Sequence, residues 1–161
     1  MQLSEIFEPL VGLEIWHPAR SVDLVSFQIG GPHMYQFDEG ERELGKLALH
    51  LQCVFRVRRL ETILTSEENF YNSAKEDDEN FDWTKPHTSL FDRRIKAIFN
   101  PEKRRFFISS FEIGAAGSFS LACTNELFID VFPCGFGKDR EHWRLFEIDG
   151  IHHVFKGSKL S

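Results

Sequence analysis

The chain is poor in cysteine and has no long apolar run. Its three cysteines, Cys53, Cys123 and Cys134, are an odd number and form no CxxC pair among the 161 residues. A disulfide framework uses an even set of cysteines, so we expect free thiols. No segment approaches the ~20 apolar residues of a membrane-spanning helix, and residues 1–5 lack the basic start of a signal peptide. These absences predict a cytoplasmic protein with no membrane contact.

Common metal-binding and phosphate-binding motifs are also missing. There is no HExxH, and residues 135–137 (GFG) lack the rest of a phosphate-loop fingerprint. His152 and His153 are neighbours, and neighbouring residues of a strand point to opposite faces. They are therefore not expected to bind one metal ion together with His142. The sequence predicts neither a metal nor a cofactor.

Residue types that can do catalysis are present without a pattern that brings them together. Nothing in the sequence places Cys123 or Cys134 beside a histidine, as a Cys–His nucleophile requires. Cys134 is expected to be the exposed thiol, and Cys53, within an apolar alternation, to be a buried one. Asp77 and Asp78 lie in a run of adjacent acids, which is typical of solvated carboxylates and not of an acid–base pair in a pocket. We expect no enzymatic activity.

Charge is unevenly distributed along the chain. The formal net charge is −6, from 25 acids and 19 bases. Residues 66–83 contain seven acids and one base, Lys75, so that this segment alone has a net charge of −6. Residues 84–105 contain seven bases and two acids, a net charge of +5. An acidic segment is therefore followed directly by a basic one.

The acidic residues belong to a long predicted loop, residues 66–87, which has no helical or strand periodicity. Loops of this length in compact domains are usually functional or disordered. Aromatic residues argue against disorder and are expected to pin the loop while its acidic centre stays exposed; they are Phe70, Tyr71, Phe81 and Trp83. One interpretation is a solvated surface loop; the other is a surface that steers a basic partner. Nucleic acid is not expected, because the chain is acidic overall and its bases follow no continuous pattern.

The strongest periodicity lies in residues 47–58, which predict one half-buried strand. Apolar residues occupy every second position, on one face. The other face carries a polar row, His50, Gln52 and Arg56. Together with Arg144, this row would line a pocket for an anionic or polar ligand. The same row is also typical of the ordinary solvent-facing side of a strand, and both interpretations stay open here.

The remaining patterns predict a β-rich α+β protein. A short helical turn is expected at the N-terminus and one main helix at about residues 88–99, with Ser89 and Asp92 as its capping box. Asp149-Gly150 is a strong hairpin signal. Strands are predicted at residues 13–17, 22–29, 47–58, 61–65, 106–113, 118–123, 127–132, 143–148 and 151–155, with a turn at 17–21. We expect a single domain, residues 1–161, of about nine antiparallel strands curved into a sandwich or partial barrel.

Several stretches resemble a family of small uncharacterised bacterial proteins. They are LHLQCVFR (49–56), FDW (81–83), LFDRR (90–94), residues 127–133 and EHWRLF (141–146). The sequence departs from the pattern of the family at Phe55, where Trp is expected, and at Asn69, where Asp is expected. Similar proteins occur beside polymorphic toxins, so the resemblance implies the role of an immunity protein.

These observations predict a non-enzymatic cytoplasmic binding protein, and an immunity protein that neutralises a toxin partner. The expected contact residues lie in the acidic loop: Glu76, Asp77, Asp78, Glu79, Phe81, Asp82 and Trp83. One alternative is a small-molecule-binding protein or enzyme with its pocket around His50, Gln52, Arg56 and Arg144. Another is a homo-oligomer joined by strand edges. The sequence does not predict the oligomeric state.

Overall fold

The computed structural model describes residues 1–135 and 137–161; Phe136, in the predicted loop at 133–139, lies outside the described residues. The described chain has two α-helices, α1 (Leu3–Phe7) and α2 (Leu90–Ile98), and two 3-10 helices, Glu8–Leu10 and Glu67–Tyr71. Its strands are β1 (Glu14–Ser21), β2 (Leu24–Ile29), β3 (His33–Phe37), β4 (Gly40–Leu44), β5 (Leu47–Leu51), β6 (Val54–Arg59), β7 (Thr62–Ser66), β8 (Phe106–Ile113), β9 (Phe119–Cys123), β10 (Leu127–Phe132), β11 (Glu141–Glu147), β12 (His152–Lys156) and β13 (Lys159–Leu160).

Eleven strands form one antiparallel sheet in the order β13-β12-β11-β5-β2-β1-β8-β9-β10-β6-β7. β8 joins the two halves of this sheet, because Phe106 and Phe107 pair with β1 whereas the strand from Ile108 onward pairs with β9. β3 and β4 form a separate hairpin. The predicted β-rich character and antiparallel pairing are thus confirmed, and within the described residues neither sheet is closed.

Residues 47–58 form two strands, which corrects the strongest strand prediction. β5 pairs with β2 and β11, whereas β6 pairs with β7 and β10. Gln52 and Cys53 therefore connect strands that lie six positions apart in the sheet order. A link this short spans about 10 Å, whereas six strand spacings in a flat sheet would span about 29 Å. The sheet consequently bends back between β5 and β6.

The turn predicted at residues 17–21 is wrong, because these residues lie within β1. A β-bulge shifts the register with β2 between Trp16 and Ala19, and His17 inside it has a positive φ of 49°. The bulge accommodates Pro18 without ending the strand.

About nine strands were expected, and the main omission is the β3–β4 hairpin. Its residues are mostly exposed on both faces, so they show no apolar alternation.

The buried residues form one apolar cluster to which both halves of the large sheet contribute. The ring of Trp143, on β11, packs against Phe7 of α1 and Phe119 of β9. Its indole N–H donates to the carbonyl of Gly117, 2.9 Å away. Gly117 has a φ of +76°, and a Cβ there would lie 2.4 Å from the ring of Phe155. These contacts bring β11 against β9 although four strands separate them in the sheet order.

Helix α2 is the predicted main helix and is slightly shorter than expected. The hydroxyl of Ser89 accepts from the Asp92 N–H, and the Asp92 carboxylate accepts from the Ser89 N–H, so the predicted capping box is confirmed. Phe91 and Ile95 are buried, and Arg93 and its basic neighbours are exposed. The helix therefore presents charge beside the residues that precede it.

Candidate functional site

We call residues 66–87 the acidic segment; it begins as a short helix and not as an irregular loop. Phe70, in the 3-10 helix, is buried, and its ring meets the edge of Phe91 of α2 at a centroid distance of 4.9 Å. The next residue, Tyr71, is 56% exposed. Its ring contacts that of Trp83 at 4.9 Å. The beginning and end of the segment are therefore held together by aromatic contacts, as the sequence predicted.

A buried ion pair anchors the end of the acidic segment. Arg20 of β1 donates from Nε and Nη2 to the two carboxylate oxygens of Asp92, at 2.7 and 2.6 Å. It also donates to the carbonyls of Trp83 and Lys85, at 2.8 and 3.1 Å. Burial raises the pKa of the Asp92 carboxyl, but hydrogen bonds from Arg20 and Ser89 outweigh burial and hold the pKa below its usual value. Arg20 thus connects β1, α2 and the acidic segment.

The tip of the acidic segment carries its charge into solvent. Four consecutive acids are exposed: Glu76, Asp77, Asp78 and Glu79. The carboxylate of Asp78 accepts a hydrogen bond from the N–H of Asn80, at 3.0 Å, and so shapes the turn at the tip. The other three carboxylates have no hydrogen bond or ion pair within the part of the chain that the structure describes. Most of the charge at the tip is therefore available to a partner.

The residues that follow the tip are ordered by local hydrogen bonds. Asp82 accepts from both the hydroxyl and the N–H of Thr84, at 2.6 and 3.0 Å. These bonds lower the pKa of the Asp82 carboxyl, the hydroxyl bond more than the amide bond. Phe81 and Trp83 are partly buried. Of the seven predicted contact residues, the four at the tip are thus exposed, and these three form the partly buried base.

The basic residues of α2 fasten the acidic segment to the helix. Arg93 donates to the carbonyl of Ala74 at 2.7 Å. Arg94 donates to the carbonyl of Leu64 at 3.4 Å and to the side-chain oxygen of Asn69 at 3.2 Å. Asn69 therefore has a structural role, because its side chain joins the acidic segment to α2. Both arginines thus bind uncharged oxygen atoms of the neighbouring chain segments.

Two of the predicted pocket residues come together in a second cluster. His50 on β5 and Arg144 on β11 are register partners. The guanidinium of Arg144 donates to both carboxylate oxygens of Glu141, at 2.9 and 2.8 Å, and lies 3.2 Å from Nδ1 of His152. The ring of Phe146 is edge-on to His50 at 4.7 Å and stacked on His152 at 4.8 Å. Burial, and then the charge of Arg144, lower the pKa of His50 below its usual value.

The three rings of this cluster line a groove of about 380 Å³ between the β3–β4 hairpin and strands β5 and β11. We call it the His50 groove. Besides His50, Phe146 and His152, its walls include Phe37 of β3 and Leu44 of β4. The turn between β11 and β12 closes one side with Glu147, Ile148 and Asp149. Arg144 is not one of the lining residues, and its three donor atoms are engaged by Glu141 and His152.

Arg56 belongs to a different cluster, on β6 and β10. Its Nε donates to Asp130 at 2.6 Å, and the Nε of Arg58 donates to the same oxygen at 2.7 Å. The hydroxyl of Ser120 donates to the other oxygen at 2.5 Å. The guanidinium of Arg58 lies 4.1 Å from the ring centre of Phe128. Burial raises the pKa of Asp130, but the hydrogen bonds from Arg58, Ser120 and Arg56 outweigh it, and the pKa lies below its usual value.

The break between β5 and β6 divides the predicted polar row. His50 and Arg144 share the His50 groove region, whereas Arg56 pairs with Asp130 on β10. Gln52 lies in the link, where its N–H donates to the carbonyl of His142 at 2.8 Å. The four side chains proposed for one pocket are therefore distributed over two clusters and a connection.

The sequence did not predict the ion pair of Arg20 with Asp92 or the burial of Asp130. Arg20 and Asp92 are 72 positions apart, so no local pattern connects them. Asp130 did offer a signal, because it is the one acid within the apolar run LFIDVF of β10. An acid in such a strand is buried only when it has partners that satisfy its oxygens.

The cysteines differ in exposure, as predicted for Cys53 and Cys134. Cys134 is exposed, whereas Cys53 and Cys123 are buried. Burial raises the pKa of both buried thiols to about 12, so they remain protonated. Across residues 1–135 and 137–161, no group of three or more His, Cys, Asp or Glu side chains has the geometry of a metal site.

No family model, no curated protein and no solved structure matches the chain significantly. Among the described helices, none combines the length and the apolar character that crossing a bilayer requires. The case for a function therefore depends on the two surfaces described above.

Proposed function

We propose that the protein is a non-enzymatic, cytoplasmic binding protein that engages a basic protein partner through the acidic segment, as an immunity protein engages a toxin domain. The observation that carries this proposal is the exposed acidic tip, residues 76–79, on a segment whose ends are anchored to the fold. A loop whose two ends are anchored loses less conformational entropy on binding than an unanchored one. The concentrated charge of the tip would speed encounter with a basic surface and disfavour acidic partners.

Aromatic residues beside the acidic tip supply the second element of an interface. Tyr71 is more than half exposed and lies against Trp83, and Phe81 is partly exposed close to Asp82. Aromatic side chains contribute a large share of the binding energy in many interfaces, whereas rim charges mainly affect association. We assign steering to the acids of the tip and affinity to the aromatic residues at its base.

Two further expectations belong to the same proposal. The resemblance to small bacterial proteins encoded beside polymorphic toxins supports the immunity role. The two-residue link between β5 and β6 and the contacts of Trp143 with Phe119 and Gly117 favour a single domain whose sheet folds into a sandwich or partial barrel. The alternative of a pocket formed by His50, Gln52, Arg56 and Arg144 has less support, because these side chains lie in separate clusters.

The proposal is tested with two charge-matched variants. The tip variant carries Glu76→Gln, Asp77→Asn, Asp78→Asn and Glu79→Gln. The hairpin variant carries Asp38→Asn, Glu39→Gln, Glu41→Gln and Glu43→Gln, and so removes the same four charges from the β3–β4 hairpin. Each tagged protein is used to capture partners from lysate of the native cells, and the bound proteins are identified by mass spectrometry.

We expect the wild type and the hairpin variant to retain the same basic partner and the tip variant to lose most of it. Co-expression with that partner then tests the immunity role, since the wild type should relieve the growth defect that the partner causes. A tip variant that captures the partner and protects cells as well as the wild type would contradict the proposal.

A further inference from the structure

We propose that the His50 groove is a binding site for an organic cation, an ammonium or guanidinium group carried on an apolar stem. The site is separate from the acidic segment, so the proposal does not depend on the function proposed above. It also differs from the anionic or polar ligand that the polar row of His50, Gln52 and Arg56 suggested.

Two acids line one wall of the groove, and the hairpin that contributes Phe37 and Leu44 to the other wall is acidic overall. The hairpin sequence, residues 33–44, contains four acids and one base, Arg42, a net charge of −3. The opposite wall adds Glu147 and Asp149. The nearby arginines are paired with carboxylates, Arg42 with Glu39 at 2.8 Å and Arg144 with Glu141 at 2.8 Å. The local excess of negative charge favours a cation over an anion in the groove.

The walls of the groove supply the aromatic rings that organic cations prefer. Phe37 and Phe146 line it from the hairpin and from β11. The π face of an aromatic ring attracts a cation within about 6 Å of its centre. Phe37 already has such a contact, since the guanidinium of Arg42 lies 5.5 Å from its ring centre. The ring of Phe146 is held in place between the imidazoles of His50 and His152.

The two histidines are arranged so that they need not oppose a bound cation. The Nη1 of Arg144 is a donor only, so Nδ1 of His152 acts as the acceptor and the proton of the neutral ring lies on Nε2. His50 is partly buried and lies beside the same arginine. Arg144 thus engages Nδ1 of His152, and burial together with the same guanidinium holds the pKa of His50 below its usual value.

Apolar side chains along the groove fit a short stem. Leu44, Ala48 and Ile148 line it together with the aromatic rings. Its volume of about 380 Å³ lies in the usual range for small-ligand sites. A butyl chain with a cationic head would bury its stem on these residues while the head meets the rings and carboxylates. Such a group occurs in a free amine and in the side chain of a lysine or arginine.

The test is an NMR titration with ligands of matched size and different charge. The probes are n-butylguanidinium, n-butyltrimethylammonium, neutral butyramide and anionic butyrate, added to wild-type protein labelled in its backbone and aromatic rings. We expect both cations to shift the resonances of His50, Phe146 and His152 and to bind about tenfold more tightly than butyramide. Butyrate or butyramide binding as tightly as the cations would overturn the proposal, and so would an absence of shifts at these rings.

Variants separate the contribution of the groove from general effects on the fold. Phe37→Leu, on the exposed hairpin, and Phe146→Leu should each weaken cation binding by about fivefold, because leucine keeps an apolar surface without a π face. Phe132→Leu, which removes an exposed ring that does not line the groove, is the control and should leave the affinity unchanged. Equal affinity in all three variants would contradict the proposal.

Two further arms distinguish this site from the acidic segment and identify the source of the cation. The hairpin variant should lose cation affinity while the tip variant keeps it, the reverse of their expected effects on partner capture. The peptide Gly-Arg-Gly binding as tightly as butylguanidinium would identify the side chain of a protein as the natural occupant. Binding of the free cations alone would identify a small amine. If the tip variant rather than the hairpin variant lost cation binding, the assignment to the groove would be wrong.

Discussion

We expect the buried carboxylate of Asp130 to stabilise the fold. It accepts hydrogen bonds from Arg56, Arg58 and Ser120, and its pKa lies below its usual value. We predict that Asp130→Asn lowers the free energy of unfolding by about 2 kcal/mol at pH 7, because two guanidinium groups lose their counter-charge. Both arginines are partly exposed to water, which limits the loss.

The pH dependence of this effect has a definite sign. A carboxyl whose pKa is lower in the folded state adds stability above the unfolded pKa of about 3.9, and that stability is lost as the pH falls through the folded pKa. The difference between Asp130→Asn and wild type in urea unfolding should therefore stay constant from pH 7 to about pH 5 and shrink as the pH falls below about 4. Asp77→Asn, at an exposed acid, is the control and should follow the wild type throughout. A difference that stays constant with pH would show that the charge of Asp130 is not responsible.

The cysteines allow a second prediction for individual residues. Cys134 is exposed, whereas Cys53 and Cys123 are buried and have pKa values of about 12. In the native protein at pH 8, a thiol reagent such as Ellman's should therefore modify one thiol rapidly and the other two only after denaturation. Cys134→Ser should abolish the rapid phase. Rapid reaction of two or three thiols in the folded wild type would contradict the burial of the core cysteines.

Among the elements, the acidic segment depends on a residue far from it in the sequence. Arg20 donates through a fork of nitrogen atoms to Asp92 and to the carbonyls of Trp83 and Lys85. Lysine keeps the charge but has no planar fork. We predict that Arg20→Lys lowers the free energy of unfolding by about 3 kcal/mol and speeds hydrogen exchange of the amides near the end of the acidic segment.

Arg105→Lys is a matched control for this substitution. Arg105 also donates to both oxygens of a carboxylate, that of Glu14, at 3.1 and 2.6 Å, but its side chain is 59% exposed. Exposed pairs contribute about 0.2–1 kcal/mol, so this change should have a small effect on stability. If Arg20→Lys were no more destabilising than Arg105→Lys, the anchoring role of Arg20 would be wrong.

The elements also show what local patterns can and cannot predict. β8 and β10 have the predicted bounds, because clear turn residues, Gly114 and Pro133, follow their last positions. The break at Gln52 and Cys53 has no such signal: the alternation continues through it, and neither residue is glycine or proline. Strand pairing depends on distant segments, so the separation of His50 from Arg56 was not accessible from the sequence. The exposed acids at residues 76–79 were predictable from composition, whereas their anchor, Arg20, was not.

For the whole molecule, the central structural feature is one core shared by two halves of a bent sheet. Trp143 lies where they meet, buried against Phe7 and Phe119 and donating to Gly117. We predict that Trp143→Phe lowers the free energy of unfolding by about 2 kcal/mol, through lost volume and a carbonyl left without its donor. Unfolding followed by far-UV circular dichroism and by fluorescence should remain a single coincident transition.

Trp16→Phe is the control for this prediction. Trp16 also donates its indole N–H to a carbonyl, that of Gly30 at 2.7 Å, but it is only partly buried. Its replacement should therefore cost less stability than that of Trp143. Equal losses, or separate transitions for the two spectroscopic signals, would contradict a single core that links the two halves of the sheet.

The distribution of charge is the property of the whole molecule that leads to the proposed function. Residues 66–83 of the acidic segment have a net charge equal to that of the entire chain, and the tip of the segment is exposed. The most direct test is the association rate constant of the captured partner with wild type and with the tip variant, measured from 20 to 300 mM salt. We predict a wild-type rate that falls steeply with salt, and a tip variant that associates about tenfold more slowly at 20 mM with little further salt dependence. Equal rates and equal salt dependence for the two proteins would contradict the proposed role of the acidic segment.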